Sequence, residues 1–210
     1  MTNSTLHLPF KEILKSIPGF FGIRLEEEPR FEVVESSGDV EVRRYAPALL
    51  AEVTLAAPHD EAIDEGFDIL AKYIFGENAP KGRLPRSSAR SSDPGVTMEM
   101  TTPVLQRPSG KGWTVSFFLG NDMKVSEAPA PKDPRVELRI EPAHTVAVKR
   151  YSGNNDADKR ATTKQELTAW VNASAQWHRD SKVFWAQYDA PFVIPFLKRN
   201  EAMIQVVSTA

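Results

Sequence analysis

The sequence predicts an α+β fold in which duplicated β-β-α-β-β halves form a distorted antiparallel β-barrel flanked by two long helices. Three observations lead there. Apolar residues alternate from Phe31 onward, as half-buried strands require. The stretch "APHDEAIDEGFDILAKYIFG" then changes to helical spacing, and the whole order of patterns occurs a second time after a proline-rich connection.

Taken in order, "RFEVVESSGDVEVRRY" reads as two strands about the turn Ser36-Ser37-Gly38-Asp39, and "ALLAEVTL" as a third. The first helix places Ile63, Gly66, Phe67, Leu70, Ala71 and Ile74 at i, i+3, i+4, i+7, i+8 and i+11 and stops at Gly76. Residues 79–95, rich in Pro, Ser and Gly and carrying Lys81, Arg83, Arg86 and Arg90, form a loop. "VTMEMTTPVL" and "GWTVSFFLG" follow as strands. Met98 and Met100 share one face of the former and are read as interior, since Pro103 marks a structural corner.

The second copy starts at Val136, where "VELRIEPAHTVAVKRY" parallels "VEVRRYAPALLAEVTL". A second helix, from about Ala157 to Trp177, puts Leu167, Trp170, Val171 and Ser174 on one stripe. "VFWAQYDAP" answers "MEMTTP", with Pro191 in the place of Pro103, and "NEAMIQVV" closes the copy. The pseudo-repeats span about 31–120 and 136–207 within one domain, 27–210. An amphipathic arm, 1–26, precedes it, with Phe10, Ile13, Leu14 and Ile17 at helical spacing.

Composition narrows the functions. With 26 Lys plus Arg against 28 Asp plus Glu, no basic field is present to attract nucleic acid. The absence of cysteine removes disulfides, thiolate chemistry and Cys-ligated metal centres. No apolar run is long enough to span a membrane and no signal peptide is evident, so a cytoplasmic protein is expected, with weak membrane-surface contact open to the arm. Oligomeric state is left open.

His7, His59, His144 and His178 are scattered without metal-ligand spacing and read as surface or capping residues. There is no phosphate-binding loop, nucleophile elbow or carboxylate pair. An enzyme acting on a planar apolar molecule would have to draw on Glu99, Tyr73, Tyr188, Asp189 or Glu201, none at a catalytic spacing. The segment "YDAPFVIPFLKRNEA" is different. Phe192, Val193, Ile194, Phe196 and Leu197 make a proline-interrupted apolar loop ending in Lys198 and Arg199, which suits an apolar ligand bearing carboxylates.

Seven stretches in sequence, "EEEPRFEVVE", "VEVRRYAP", "GFDILAKYIFGEN", "MEMTTPV", "VELRIEP", "VAVKRYSG" and "YDAPFVIPFLKRNEAMIQV", resemble the SOUL haem-binding protein family, its prokaryotic-type members most closely. The likeness covers about Glu27 to Val207. It implies a haem- or tetrapyrrole-binding protein that holds the macrocycle in an apolar cleft between the first helix and the loop before the last strand. Carried onto this chain, the helix face is Ile63, Phe67, Leu70, Ala71 and Ile74 with Lys72 at its edge, and the loop is Phe192, Val193, Ile194 and Phe196, with Lys198 or Arg199 for the propionates. Relatives that ligate iron carry a histidine where this chain has Arg44, so the chain looks more like the branch that binds by apolar contact and charge pairing. The expected role is a buffer or carrier. The alternatives are an enzyme acting on a tetrapyrrole or other planar molecule, and an interaction module docking through the arm.

Overall fold

A computed structural model describes residues 26–80, 95–189 and 193–209. Residues 1–25 of the predicted arm, most of the 79–95 loop and Phe192 lie outside the described residues.

Strand β1 (Phe31–Ser37) turns through Gly38 into β2 (Val40–Tyr45). Gly38 has φ 62°, a left-handed conformation that glycine adopts without steric cost. After β3 (Ala48–Leu55) comes helix α1 (His59–Ile74). Asp60 and Glu61 in its first turn and Lys72 in its last complement the helix dipole. It buries Ala62, Gly66, Ile69, Leu70, Tyr73 and Ile74, residues three or four apart that form one stripe against the sheet.

The short strand β4 (Asn78–Ala79) follows, and β5 (Val104–Ser109) and β6 (Gly112–Phe118) form the next hairpin. The expected strand at 96–105 thus joins the sheet only at Val104. Pro103 has no N–H to give to a ladder, and the Thr102–Pro103 peptide is cis. The residues before it are held elsewhere, Met98 N by Ile74 O at 2.9 Å and Thr102 N by Glu27 O at 3.0 Å.

Strand β7 (Ala130–Pro131) pairs with β4 in a separate ribbon, and β8 (Glu137–Glu141) and β9 (His144–Ser152) lead to helix α2 (Ala157–Ala173). The Asp156 side chain caps α2 by accepting from Lys159 N at 2.9 Å. The helix ends four residues short of the expected Trp177. Ser174 turns extended, and its Oγ accepts from the backbone N–H groups of Gln176 and Trp177. Trp177 instead opens β10 (Trp177–Arg179), followed by β11 (Phe184–Gln187), a 3-10 turn at Pro195–Leu197, and β12 (Arg199–Ser208).

The main sheet is antiparallel throughout, in the order β1-β2-β9-β12-β11-β5-β6-β3-β8, with β10 added on β12. From β2 to β8 this order is symmetric in kind about the β11–β5 junction. Strands β9, β12 and β11 take β2 from the first half of the chain, while β5, β6 and β3 take β8 from the second.

The sheet is curled. One face gathers a single core from both sides of the junction, including Leu50, Leu105, Phe118, Val148, Phe184 and Met203. The other face carries two separate cores. One lies under α1, with Val53, Leu70, Ile74, Val115 and Phe117, and one under α2, with Val42, Leu167, Val171, Ile204 and Val206. The outer strands β1 and β8 are not paired with each other, so the observed architecture is α+β with a half-barrel sheet and two helices.

Candidate functional site

On the helix-bearing, convex face the predicted ligand stripe of α1 divides in two. Leu70 and Ile74 are turned into the core, whereas Ile63, Phe67 and Ala71 are half-buried and Lys72 is exposed. Phe67 rests edge-on against Phe117, with ring centroids 5.2 Å apart. Met98 and Met100 are half-buried and pack on the same core, in keeping with an interior role.

The segment before β12 behaves differently. Val193 is buried, but Ile194, Phe196 and Leu197 are 51%, 72% and 45% exposed, three large apolar side chains within four residues. The turn that presents them is fixed at its base, where Gly153 N donates to Pro195 O at 3.0 Å. Nearby, Lys198 is buried, and its Nζ donates to Asn154 Oδ1 at 3.1 Å. Phe192 lies outside the described residues.

A polar relay runs from the start of α1 to Asp189, just after β11. His59 Nε2 lies 3.0 Å from Gln106 Oε1, Gln106 Nε2 donates to Gln187 Oε1 at 3.2 Å, and Gln187 Nε2 donates to Asp189 O at 3.2 Å. The other His59 nitrogen contacts Asp60 Oδ1 at 2.6 Å, and that hydrogen bond holds the Asp60 carboxyl below its usual range. Trp113 meets the His59 ring edge-on at 4.6 Å. Sequence reading missed this relay. Gln106 and Gln187 meet only because β5 and β11 pair with Gln106 opposite Trp185 and Val104 opposite Gln187.

The concave face holds two charged clusters. In the first, Glu201 is fully buried. Its Oε2 accepts from Arg43 Nη1 at 2.9 Å and Tyr188 Oη at 2.8 Å, and its Oε1 from Arg199 Nη2 at 2.9 Å and Nε at 3.0 Å. Burial alone would raise the Glu201 carboxyl. The charges of Arg43 and Arg199 and the hydrogen bonds from Arg43 and Tyr188 outweigh it and hold the group below its ordinary value. Arg199, a predicted propionate partner, is engaged here with Glu201 and Glu28, and its guanidinium lies 3.7 Å over the Tyr188 ring.

In the second cluster Arg139 bridges Glu52 Oε1 at 2.8 Å and Glu141 Oε2 at 2.6 Å, and Arg107 Nη2 reaches Glu141 Oε2 at 3.2 Å. Of the other candidate polar groups, Tyr73 donates to Pro129 O at 2.8 Å, Asp189 Oδ2 accepts from Arg199 N at 2.6 Å, and Glu99 is exposed. Arg44 is exposed and paired with Glu32 at 3.1 Å. Among the described residues no cluster of His, Asp or Glu has a metal-holding arrangement, and no helix is long and apolar enough to cross a membrane.

Solved structures share the fold at low identity. The C-terminal domain of EcmrR superimposes with a TM-score of 0.54 and 12% identity, covering 84% of this chain and 98% of that one. A hydrolase from Listeria innocua does so with a TM-score of 0.53 and 11% identity, covering 83% and 94%. EcmrR in its DNA complex gives a TM-score of 0.51 and 10% identity over 80% of this chain and 56% of that one. No curated protein matches. The family model described as SOUL heme-binding protein matches residues 26–205. The chain therefore belongs to the SOUL heme-binding family.

Proposed function

We propose that the protein is a cytoplasmic, non-catalytic buffer or carrier of haem or a related tetrapyrrole, held on the convex face between α1 and the 193–198 segment. The observation that carries this reading is the exposure of Ile194, Phe196 and Leu197 on a turn pinned at its base by the Gly153 N–H on Pro195 O. Exposed apolar side chains grouped on a fixed turn mark a surface that gains by being covered. A planar macrocycle fits that need, with Ile63, Phe67 and Ala71 supplying the facing surface from α1. Leu70 and Ile74 support that helix from the core side. Lys72, exposed at the helix edge, is the cation we assign to a propionate; Lys198 is buried with its Nζ on Asn154, and Arg199 is held on the concave face by two carboxylates.

Binding then rests on apolar area removed from water, at about 25 cal/mol per Å², with charge pairing to fix orientation. Iron, when present, would supply redox and ligand chemistry, but the retention described here is by contact. A non-catalytic role is supported by Glu201, both of whose oxygens already accept from arginines and a tyrosine. The palindromic strand order supports reading the domain as two fused copies.

A spectrophotometric titration with haemin and with metal-free protoporphyrin tests the proposal. Saturable binding of both with comparable affinity is expected, and Phe196→Asp should weaken both by roughly ten- to a hundredfold, the worth of one buried aromatic side chain. No saturable binding of either, or full affinity in Phe196→Asp, sinks it.

A further inference from the structure

The start of α1 is fastened at the sheet junction by a ring of hydrogen bonds. His59, whose side chain is 13% exposed, sets one ring nitrogen on Asp60 Oδ1 and the other on Gln106 Oε1. Asp60 Oδ1 also accepts from Arg160 Nη2 at 3.4 Å, Arg160 Nη1 donates to Asn155 O, and Asn155 Nδ2 donates to Gln106 Oε1 at 3.4 Å, which closes the ring. Helix α1 and strand β5, from one half of the chain, are thereby joined to the first turn of α2 from the other.

The direction of each bond in the relay follows from its far end. Asp189 O is a backbone carbonyl and can only accept, so Gln187 turns Nε2 to it and Oε1 to Gln106. Gln106 must then give Nε2 to Gln187 and present Oε1 to His59. At 1% exposure, Gln106 has no water to take the place of these partners. His59 therefore meets an oxygen acceptor at each nitrogen, and a neutral imidazole has one N–H for the two. Only the imidazolium donates to both. Its charge is answered by Asp60, whose carboxyl is lowered chiefly by the His59 hydrogen bond. Arg160 of α2 faces that same carboxylate, while β5, β6 and β11 present Gln106, Trp113 and Trp185 to the ring.

We propose that His59 is a pH-sensitive latch: its imidazolium clamps the start of α1 to the β5–β11 junction, and release of one ring proton to water opens the clamp. The N–H kept by the neutral ring stays with the Asp60 carboxylate, the stronger acceptor. The Nε2 lone pair is then set against Gln106 Oε1, and Gln106 cannot turn round without breaking its bond to Gln187, which Asp189 O holds in place. The two groups separate, and the first turn of α1 loses its tie to the sheet. The device is independent of whether α1 carries a tetrapyrrole.

NMR of the intact chain without added ligand, with nitrogen-labelled histidine rings and glutamine amides, tests this between about pH 5 and 8, the interval in which imidazole changes charge. Two ring N–H protons on His59 are expected at the acid end and one at the other, with the Gln106 and Gln187 side-chain amides shifting at the same midpoint. Gln106→Met, which leaves Nε2–H without its acceptor, should move the His59 midpoint to lower pH and leave Gln187 unresponsive. The wild-type spectra decide without the variant. A constant number of ring protons on His59 across the interval, titration that leaves the two amides unmoved, or an unchanged midpoint in Gln106→Met overturns the proposal.

Discussion

The two sides of the sheet junction are built alike and finished differently. Strands β2-β9-β12-β11 carry α2 on the convex face and the Glu201 cluster on the concave one. Strands β5-β6-β3-β8 carry α1 and the Glu52–Glu141 cluster. In the first cluster the carboxylate is sealed from solvent and each oxygen is met by an arginine. In the second, one guanidinium nitrogen is left over. The proton affinities record the difference. Burial would lower Arg199, but Glu201 raises it above its ordinary value. For Arg107 burial wins over the attraction of Glu141 and the group is lowered. The same strand order thus supports a closed ionic lock at one end and an incomplete one at the other.

The largest test of that contrast is Glu201→Ala. It removes the buried carboxylate that Arg43 and Arg199 share, leaving them only Glu41 and Glu28 at the margin, and leaves Tyr188 Oη without its acceptor, so a loss of about 3–5 kcal/mol is expected in urea unfolding. Glu141→Ala also takes the ion pair from Arg107 but should cost less, because that pairing is already incomplete and Arg139, 40% exposed, keeps Glu52. Equal losses from the two variants would break the contrast.

The helices differ as well. Helix α1 lies so close to the sheet that a Cβ on Gly66 would fall 2.5 Å from Val115 Cγ2 and 2.9 Å from Val115 Cβ. Helix α2 buries only Thr163, Leu167 and Val171 and relies on its Asp156 cap. Gly66→Ala gains about 1 kcal/mol of helix propensity. The overlap costs about 1–3 kcal/mol, because a β-branched valine in a sheet has no free rotamer to yield. Net destabilisation is expected by thermal melting, and in the Val115→Ala background, where the Cγ2 overlap is gone and only the Cβ contact remains, Gly66→Ala should cost less than in the wild type. A stabilised single variant would show that α1 is no more closely seated than α2.

Much of this was legible in the sequence, and the reason is periodicity. The stripe from Ile63 to Ile74 and the alternation in "ALLAEVTL" report a local geometry that each segment must satisfy by itself. The end of α2 was not legible, because Ser174 stops it by a hydroxyl capping the next turn and not by a glycine or proline. Which residues of the α1 stripe face the core and which stay half-open was also hidden, since Leu70 and Phe67 are equally apolar and only the seat of the helix on β3 and β6 separates them. The relay through Gln106 and Gln187 and the Arg107 cluster depend on register between strands distant in sequence, for which a single chain carries no periodic signal. The exposed loop at 194–197 was legible because apolar residues between prolines and basic residues have few ways to be buried.

The acid limb of stability offers a finer comparison. Both Glu201 and Glu141 are held below their ordinary carboxyl value of 4.5, in each case by arginines that overcome the effect of burial. A group depressed in the folded state stabilises above its unfolded pKa, and that contribution is lost as pH falls through the folded one. Stability is therefore expected to hold from neutral pH down to about 4.5 and to fall below it. Melting curves of Glu201→Gln, which no longer titrates, should fall less steeply in that range than those of the wild type. An unchanged slope would place the acid sensitivity outside the Glu201 lock.

The smallest effect is expected at Arg107. Arg107→Met keeps a long apolar stem against Phe184 and removes the buried donor that has no partner. Glu141 is not abandoned, since Arg139 and Gln205 still donate to it. Replacing a poorly satisfied buried charge by a methionine of similar length is often neutral or stabilising, so the change in unfolding free energy should stay within about 1 kcal/mol of zero or favour the variant. Measured beside Arg43→Met, which takes a donor from Glu201 and should cost more, it separates a guanidinium that holds the fold from one that does not. A loss in Arg107→Met as large as that in Arg43→Met would mean that the second cluster is as closed as the first, its missing acceptor supplied by bound water.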